Sequence, residues 1–424
     1  MFSLISEAIS IAISIMFQIL KATWWIIVPV ALFLRVKKYW LSYQASKYKK
    51  SLEWAVLEVI LPPEVEKTPK AMENVLVGLH GAYKSVSSRE KWTKGTSPDS
   101  FSLEMTGVDG ELHFYVRCQS SQRSFVESKL YSQYPDAEIY EVKDYTKETV
   151  PPELPNKDYE VWGADYVLTK DWPYPILSYI DFEDKEEERR LDPLSQFAEL
   201  VSKMEKGENI WLQIVISPVA TKDKVAEKAK EILDKETGRA KAKPASVGQE
   251  VVSFVGNVAR HISAKELLPG PEGKPASEAS MQKLTPGEQE KVKKIEIKTS
   301  KLLFKITARA VYVARNDVFH KPHVPALQGF FNQFNSGINS FKSSSSPSGS
   351  LIFFKNSRNF SRKTKLVGAY RGRALGAISK DQKDNILNVE ELATLYHFPG
   401  TLVKAPLMPR ISSRTAEPPK GLPR

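Results

Sequence analysis

The segment of this sequence closest to a phosphate-binding loop is Gly270–Lys274, and its spacing is wrong for that chemistry. A P-loop places four residues between its two glycines and follows them with Lys and a hydroxyl residue. Here only two residues separate the glycines, and three prolines in and beside the loop remove backbone N–H donors that would hold phosphates. We therefore expect no nucleotide site in this loop.

Other residue patterns do not predict an enzyme either. The sequence has neither H-E-x-x-H nor G-x-S-x-G. His320 and His323 are three residues apart, but Pro322 breaks a helix that would align them as metal ligands. Cys118, the single cysteine, excludes a disulfide framework and lies on the apolar side of an alternating strand, which is typical of core packing. We predict a non-catalytic protein without a cofactor or metal.

The remaining chemical signal is electrostatic. The 424 residues include 61 Lys and Arg against 50 Asp and Glu, a net charge of +11, and residues 350–424 alone contribute +9. Such a segment can neutralise phosphates while its aromatic rings stack on bases. Attraction to anionic lipid, docking on another protein and a merely exposed, solvated segment stay open as alternatives. The residues expected to form this nucleic-acid or anionic-surface site are Arg358, Arg362, Lys363, Lys365, Arg371 and Arg373.

The N-terminal run Ile11–Leu34 is mostly apolar and about as long as a membrane span requires, although Gln18 and Lys21 interrupt it. Basic residues follow the run rather than precede it, which favours an anchor over a signal peptide. The positive-inside rule then places the later domains in the cytoplasm. We predict a single-pass protein of the cytoplasmic (inner) membrane that contacts the lipid bilayer through residues 11–34. A helix lying on the membrane surface is the alternative.

The body of the chain predicts an α+β fold. Apolar residues alternate with polar ones in Phe101–Thr106, Asp109–Gly110 forms a hairpin turn, and Leu112–Cys118 alternates again. Helical and strand patterns around this hairpin give the order β-α-β-β-α-β, and the order recurs further along the chain. We predict an N-terminal transmembrane helix, then tandem ferredoxin-like (βαββαβ) domains with a helical insertion and an extended basic tail. The second domain is expected to contain strands at Tyr159–Thr169, Tyr174–Phe182, Ile210–Ser217 and Lys301–Val313, and a helix at Val324–Phe341.

These patterns give the following domain boundaries. Residues 1–50 form the anchor and basic juxtamembrane segment, 51–150 the first domain, 151–334 the second domain with its insertion at 218–300, 335–350 a Ser-rich linker, and 351–424 the basic tail.

The tail segment Ile386–Gly400, ILNVEELATLYHFPG, resembles the segment just before the nucleotide-binding core in conjugation and type IV secretion ATPases of the HerA–FtsK superfamily. Trp54–Gly78 is similar to the membrane-proximal domain attached to such ATPases. In that family a strand and a Walker A loop follow this segment soon afterwards, and neither pattern follows it in this sequence. The resemblance therefore implies a separately encoded HerA/FtsK-type ATPase as a partner, but no ATPase activity.

The apolar cluster in this tail is expected to have no domain of its own to bury it, and hence to dock on the ATPase. The predicted docking residues are Glu390, Glu391, Leu392, Leu395, Tyr396 and Phe398. The predicted function is a non-catalytic, membrane-anchored component of a type IV secretion or conjugation-like system for DNA or protein transfer, which tethers the ATPase. A membrane-tethered nucleic-acid-binding protein is the alternative. DNA and a second copy of the chain stay open as further partners.

Overall fold

The computed structural model describes residues 2–62, 67–182, 192–220, 224–237, 284–344, 355–376 and 384–400. The strands within these ranges are β1 (Trp54–Ile60), β2 (Phe101–Val108), β3 (Glu111–Gln119), β4 (Glu138–Val142), β5 (Tyr159–Leu168), β6 (Glu208–Val219), β7 (Leu303–Arg315), β8 (Phe341–Ser343) and β9 (Ile386–Asn388).

The helices of the described residues surround these strands. They are α1 (Phe2–Ser51), α2 (Pro69–His80), α3 (Ser88–Thr93), α4 (Arg123–Gln133), α5 (Tyr145–Glu148), α6 (Tyr179–Phe182), α7 (Ser195–Ser202), α8 (Lys224–Glu236), α9 (Pro286–Ser300), α10 (His323–Asn332), α11 (Lys355–Arg371) and α12 (Val389–Leu395).

All nine strands belong to one antiparallel sheet in the order β4-β1-β3-β2-β6-β7-β5-β8, with β9 paired to β7. From one edge inward, the first half has the order β4-β1-β3-β2, and from the other edge inward the second half has the order β8-β5-β7-β6. In both halves the fourth strand is therefore followed by the first, third and second, which is the order of a split β-α-β-β-α-β unit. The halves meet where β2 pairs with β6, from Phe101 opposite Ile216 to Val108 opposite Asn209. The sheet is therefore continuous, and the second strand of each half lies at its centre.

Both faces of the central strands are covered. Side chains of β2 that alternate along one face, such as Leu103 and Met105, enter the main hydrophobic core with residues of α2, α4, α7, α10 and α12. The opposite face, called here the second face, carries a smaller cluster that includes Trp211 and Val311 and is covered by α11. Burial on both faces explains why β6 and β7 are almost continuously apolar in sequence.

Helix α1 corrects the prediction of a membrane anchor. No helix among the residues that the structure describes has a stretch long and apolar enough to cross a membrane. Gln18 and Lys21 interrupt the apolar run, and α1 continues past it to Ser51. The transmembrane helix predicted at Ile11–Leu34 is therefore wrong, as are the single-pass inner-membrane location and the lipid contact through residues 11–34. Near its C-terminal end, α1 approaches α3, where the Nε1 of Trp40 donates to the carbonyl of Trp92 over 3.0 Å.

Two predicted elements of the second half are also wrong. Tyr174–Phe182 is a loop that ends in the single turn of α6, because Pro175 cannot donate to a strand ladder. The helix predicted at Val324–Phe341 ends at Asn332, and Phe341–Ser343 forms β8 against β5. β8 therefore lies within the predicted linker 335–350, of which residues 345–350 are outside the described part.

The insertion predicted at 218–300 starts within the last residues of β6, and most of its described residues then form α8 and α9. Helices α8 and α9 pack together through Ile232 and Ile295, with Tyr174 completing a small cluster. The loop Gly270–Lys274 lies outside the described residues.

The prediction of an extended basic tail is wrong for residues 355–376 and 384–400. Residues 355–371 form α11, and β9 pairs with β7 through Leu303 opposite Asn388. An Asn388–Glu391 capping box starts α12 directly after β9. The C-terminal elements therefore complete the sheet and its core. Residues 401–424 lie outside the described part.

Candidate nucleic-acid interface

A row of polar side chains crosses the second face of the sheet. Glu104 on β2 lies opposite Gln213 on β6, Gln213 lies opposite Arg309 on β7, and Arg309 lies opposite Asp165 on β5. All four residues are 0% exposed. Burying charges this deeply costs folding free energy unless each charge is paired. The segments that supply hydrogen-bond partners to this row must therefore pack on this face of the sheet.

Arg309 connects the row to the turn that follows α11. Its Nε donates to Asp165 Oδ1 over 2.6 Å, and its Nη1 donates to Gln213 Oε1 over 3.3 Å. The guanidinium also donates to the carbonyls of Ala369, Ala374 and Gly376 at 3.0–3.3 Å. The end of α11 therefore supplies acceptors that a buried arginine requires.

Arg373 makes the second connection. Its Nε and Nη2 donate to the two carboxylate oxygens of Glu104 over 2.9 and 3.0 Å, and its Nη2 also donates to Asp144 over 3.0 Å. Burial opposes the charge of Glu104, but Arg373 and hydrogen bonds from Ser102 and Tyr145 hold the pKa of this carboxyl below its usual range. Arg373 has φ +45°, a left-handed conformation that is unfavourable for arginine. The ion pairs thus hold the turn after α11 in place. We call Arg309 and Arg373, with their partners, the clamp.

The apolar side of α11 completes this attachment. Leu366, Val367 and Tyr370 are buried in the cluster on the second face, and the carbonyl of Tyr370 accepts from Gln213 over 3.0 Å. Beneath the helix, Gly163 of β5 has no side chain, and a Cβ there would lie 2.3 Å from Leu366. The orientation of α11 on the sheet is therefore fixed along its length.

This orientation separates the six predicted basic residues into two groups. Lys363 pairs with Glu160, Arg371 donates to the carbonyls of Pro151 and Pro152, and Arg373 belongs to the clamp. These three stabilise the attachment of α11.

The other three basic residues are Arg358, Arg362 and Lys365. Their i, i+4, i+7 spacing places them along one side of α11. Arg362 and Lys365 are exposed, and Arg358 is partly buried. We call these three residues the basic stripe. Phe360, 56% exposed, lies on the opposite flank of the helix.

The predicted docking residues lie in the core. Leu392, Leu395 and Tyr396 are 0% exposed, and Phe398 packs edge-on against Phe114 with ring centroids 5.3 Å apart. The expectation that no domain of this chain buries the apolar cluster is wrong. Elements from distant parts of the chain bury it in the main hydrophobic core.

The two acidic docking candidates are also engaged within the chain. Glu390 pairs with Lys301, and Glu391 lies 2.9 Å from the Nζ of Lys298, with both members of that second pair almost fully buried. Burial raises the pKa of Glu391 above its usual range, although Lys298 acts in the opposite direction. As folded, this segment does not present the docking residues to a partner.

The candidates for nucleophile and metal ligand also have structural surroundings. Cys118 is buried, as predicted, and burial raises the pKa of its thiol to about 11, which disfavours the reactive thiolate. His323 begins α10, with its ring 4.9 Å from that of His320 and its Nε2 3.4 Å from Glu208. Within the described ranges no group of three or more His, Cys, Asp or Glu residues could hold a metal ion.

Reasoning from the sequence missed the row of Glu104, Gln213, Arg309 and Asp165. Each is an ionisable or amide residue with an apolar residue directly before and after it in its strand, and the four strands are FSLEMTGV, ENIWLQIVISPV, LFKITARAVYVAR and YEVWGADYVL. That isolation was the available signal, because a polar residue in a strand buried on both faces must find a buried partner.

The comparisons with known proteins give one family. Its model is described as "Domain of unknown function (DUF8128)" and matches residues 42–405, which include both halves of the sheet, α11, β9 and α12. No curated protein matches the chain. Because that description assigns no activity, the predicted place in type IV secretion or conjugation has no support and is corrected to a domain of unknown function. The matched range covers most of the 424 residues, and the chain belongs to the DUF8128 family.

Proposed function

We propose that this protein is a non-catalytic nucleic-acid-binding protein, in which the basic stripe of α11 contacts backbone phosphates. The observation that carries this proposal is a row of three cations, two of them exposed, on a helix that contains six basic and no acidic residues. Lys and Arg side chains that neutralise phosphates supply most of the affinity in non-specific binding.

The dimensions of the stripe suit a polymer. Arg358 and Lys365 are seven residues apart, which corresponds to about 10 Å along a helix. Phosphates on one strand recur at about 3.4 Å along a duplex axis, so the stripe covers about three of them. Contacts of this kind position a nucleic acid without reading its sequence.

The clamp supports the proposal because it fixes α11 on the sheet before a ligand binds. A cationic helix that is ordered only on binding loses part of the interaction free energy to its own ordering. Here Arg309 and Arg373 hold the end of α11, and Leu366 fixes its middle on Gly163. The stripe is therefore presented by a rigid support before any ligand arrives.

Recruitment of a separate ATPase stays a prediction. The residues proposed for it, from Glu390 to Phe398, are buried within the chain's own core. An ATPase partner would therefore need a different surface of this protein.

A charge-reversal variant tests the proposal. In Arg362→Glu/Lys365→Glu both altered side chains are exposed, so the fold should be retained. The control Lys206→Glu/Lys293→Glu makes the same change in net charge at exposed residues outside α11. Binding of the full chain to a fluorescently labelled oligonucleotide is measured by anisotropy.

We expect the stripe variant to bind at least about tenfold more weakly than the control variant, since two phosphate contacts become repulsions. Equal weakening by the two variants would show that only net charge matters and would overturn the assignment to α11. Failure of the unaltered protein to bind DNA or RNA at low salt would overturn the function itself.

A further inference from the structure

A pocket lies where the end of α1, the strands β1 and β3, and the turn after α11 meet. Its volume is about 420 Å³, which is in the range of small-molecule sites. The polar and basic side chains that line it include Ser42, Ser46, Lys49, Lys50, Ser100 and Arg117. Gly372, just after α11, also lines the pocket. We call this the cationic pocket.

Arg117 is held in a fixed position inside the pocket. Its Cζ lies 4.0 Å from the ring centroid of Trp54, a cation–π contact that orients the planar guanidinium. Burial, and then the positive charge of Arg373, lower the pKa of Arg117 to about 10, while Glu104 and Asp144 act in the opposite direction. Those two carboxylates are engaged by Arg373, and Arg117 forms no ion pair within the described residues.

Lys49 adds a second cation, which has no ion-pair partner in the part of the chain that the structure describes. The side chain of Lys49 is exposed overall, but partial desolvation where it borders the pocket, followed by the charge of Arg117, lowers its pKa. An anion between Lys49 and Arg117 would offset the positive charge that disfavours protonation of Lys49. The cluster therefore has a deficit of negative charge that no described carboxylate fills.

The end of α1 supplies a competing explanation for these lysines. The C-terminal carbonyls of a helix carry partial negative charge, and Lys49 and Lys50 in the last turn complement it. Neither ammonium group, however, donates a hydrogen bond to those carbonyls in the structure, so their donors remain available.

The hydroxyl groups favour an oxyanion with several acceptors. Ser42, Ser46 and Lys49 follow one another at i, i+4 and i+7, so they lie on one side of α1. Hydroxyls together with a guanidinium and an ammonium are the donors that bind phosphate oxygens. A phosphomonoester carries a charge of about −1.5 to −2 at neutral pH, which matches two unpaired cations.

We propose that the cationic pocket binds a phosphate group, with Arg117 and Lys49 as its charged ligands and Ser42 and Ser46 as additional donors. This site is distinct from the basic stripe, and the proposal does not rest on binding of nucleic acid by α11. The phosphate comes either from a small soluble compound or from the end of a nucleic-acid strand.

Calorimetric titration of the full chain with inorganic phosphate tests the pocket. We expect saturable binding that weakens about tenfold or more in Lys49→Met, the loss of one charge-assisted contact. Lys47→Met, an exposed lysine of the same helix outside the pocket, should leave binding unchanged. Arg117→Met should abolish binding. If that variant fails to fold, Lys49→Met still tests the proposal, because it alters an exposed side chain.

Equal binding by the unaltered protein, Lys49→Met and Lys47→Met would overturn the proposal, as would the absence of phosphate binding. Two oligonucleotides, with 5′-phosphate and with 5′-hydroxyl, separate the sources. A preference for the 5′-phosphate that disappears in Lys49→Met identifies a strand end, whereas no preference identifies a small phosphate compound. The variant Arg362→Glu/Lys365→Glu should bind inorganic phosphate normally, so failure of the stripe and failure of the pocket are distinguishable.

Discussion

Replacing Arg373 with Met should destabilise the protein far more than the loss of an exposed arginine. The Arg373 side chain is 2% exposed and that of Glu104 is 0% exposed, so the substitution leaves a carboxylate buried without its main partner. Removal of one member of a buried pair costs about 3–5 kcal/mol of unfolding free energy. Arg315→Met is the matched control, since its pair with Asp317 is exposed, and such pairs contribute about 0–1 kcal/mol.

A double-mutant cycle isolates the interaction between the two buried side chains. Glu104→Gln alone should cost stability, because it leaves Arg373 with Asp144 as its only carboxylate partner. In the Arg373→Met background the same change removes an unpaired charge, so it should be neutral or stabilising. We expect a coupling energy of about 2–3 kcal/mol between the two positions.

Urea unfolding followed by tryptophan fluorescence measures this cycle. Trp211, one of eight tryptophans, is fully buried with its ring centroid 5.3 Å from that of Tyr370, so the signal includes the region where α11 meets the sheet. If Arg373→Met shifts the midpoint no further than Arg315→Met, or if the cycle shows additivity, the clamp does not hold α11 and the reasoning fails.

Two further predictions concern stability. Leu392→Ala should lower the unfolding free energy by about 2–5 kcal/mol, because the side chain is 0% exposed, and a change below 1 kcal/mol in urea unfolding would favour the docking interpretation of this segment. Acid should also destabilise the protein. Folding lowers the pKa of Glu104 from 4.5 and that of Asp144 from 3.8, so their contribution to stability is complete above those values. It declines as pH falls below them and is lost once pH falls through the lower pKa values of the folded state. The urea midpoint should depend less on pH in this range for Glu104→Gln than for the unaltered protein, and equal dependence would contradict the assignment.

Local patterns in the sequence predicted the elements whose stability depends on near neighbours. Phe101, Leu103 and Met105 alternate with polar residues, and all three are buried on one face of β2. The same reasoning failed at Tyr174–Phe182, where aromatic and apolar residues suggested a strand. There Pro175 and the packing of Tyr174 against α8 and α9 determine a loop.

The C-terminal segment shows why non-local pairing could not be predicted. Ile386–Asn388 pairs with the start of β7, more than 80 residues earlier in the chain. The apolar residues of α12 appeared unpartnered because no neighbouring segment could bury them. Only the pairing of β9 with β7 places α12 against α2 and the main core.

The clamp depends on register in the same way. Glu104, Gln213, Arg309 and Asp165 come from four strands spread over two hundred residues, and a shift of one residue in any strand would send its side chain to the other face. The basic residues of α11 were visible in the sequence. Their division into structural and exposed groups depends on which side of α11 faces the sheet.

The salt dependence of nucleic-acid binding tests the central claim most directly. The logarithm of the association constant is measured against the logarithm of the salt concentration for the unaltered protein and for Arg362→Glu/Lys365→Glu. We predict a linear decrease for the unaltered protein and a slope smaller by about two for the variant, since each lost phosphate contact removes close to one unit. Identical slopes for the two proteins would contradict the assignment of phosphate contacts to the basic stripe.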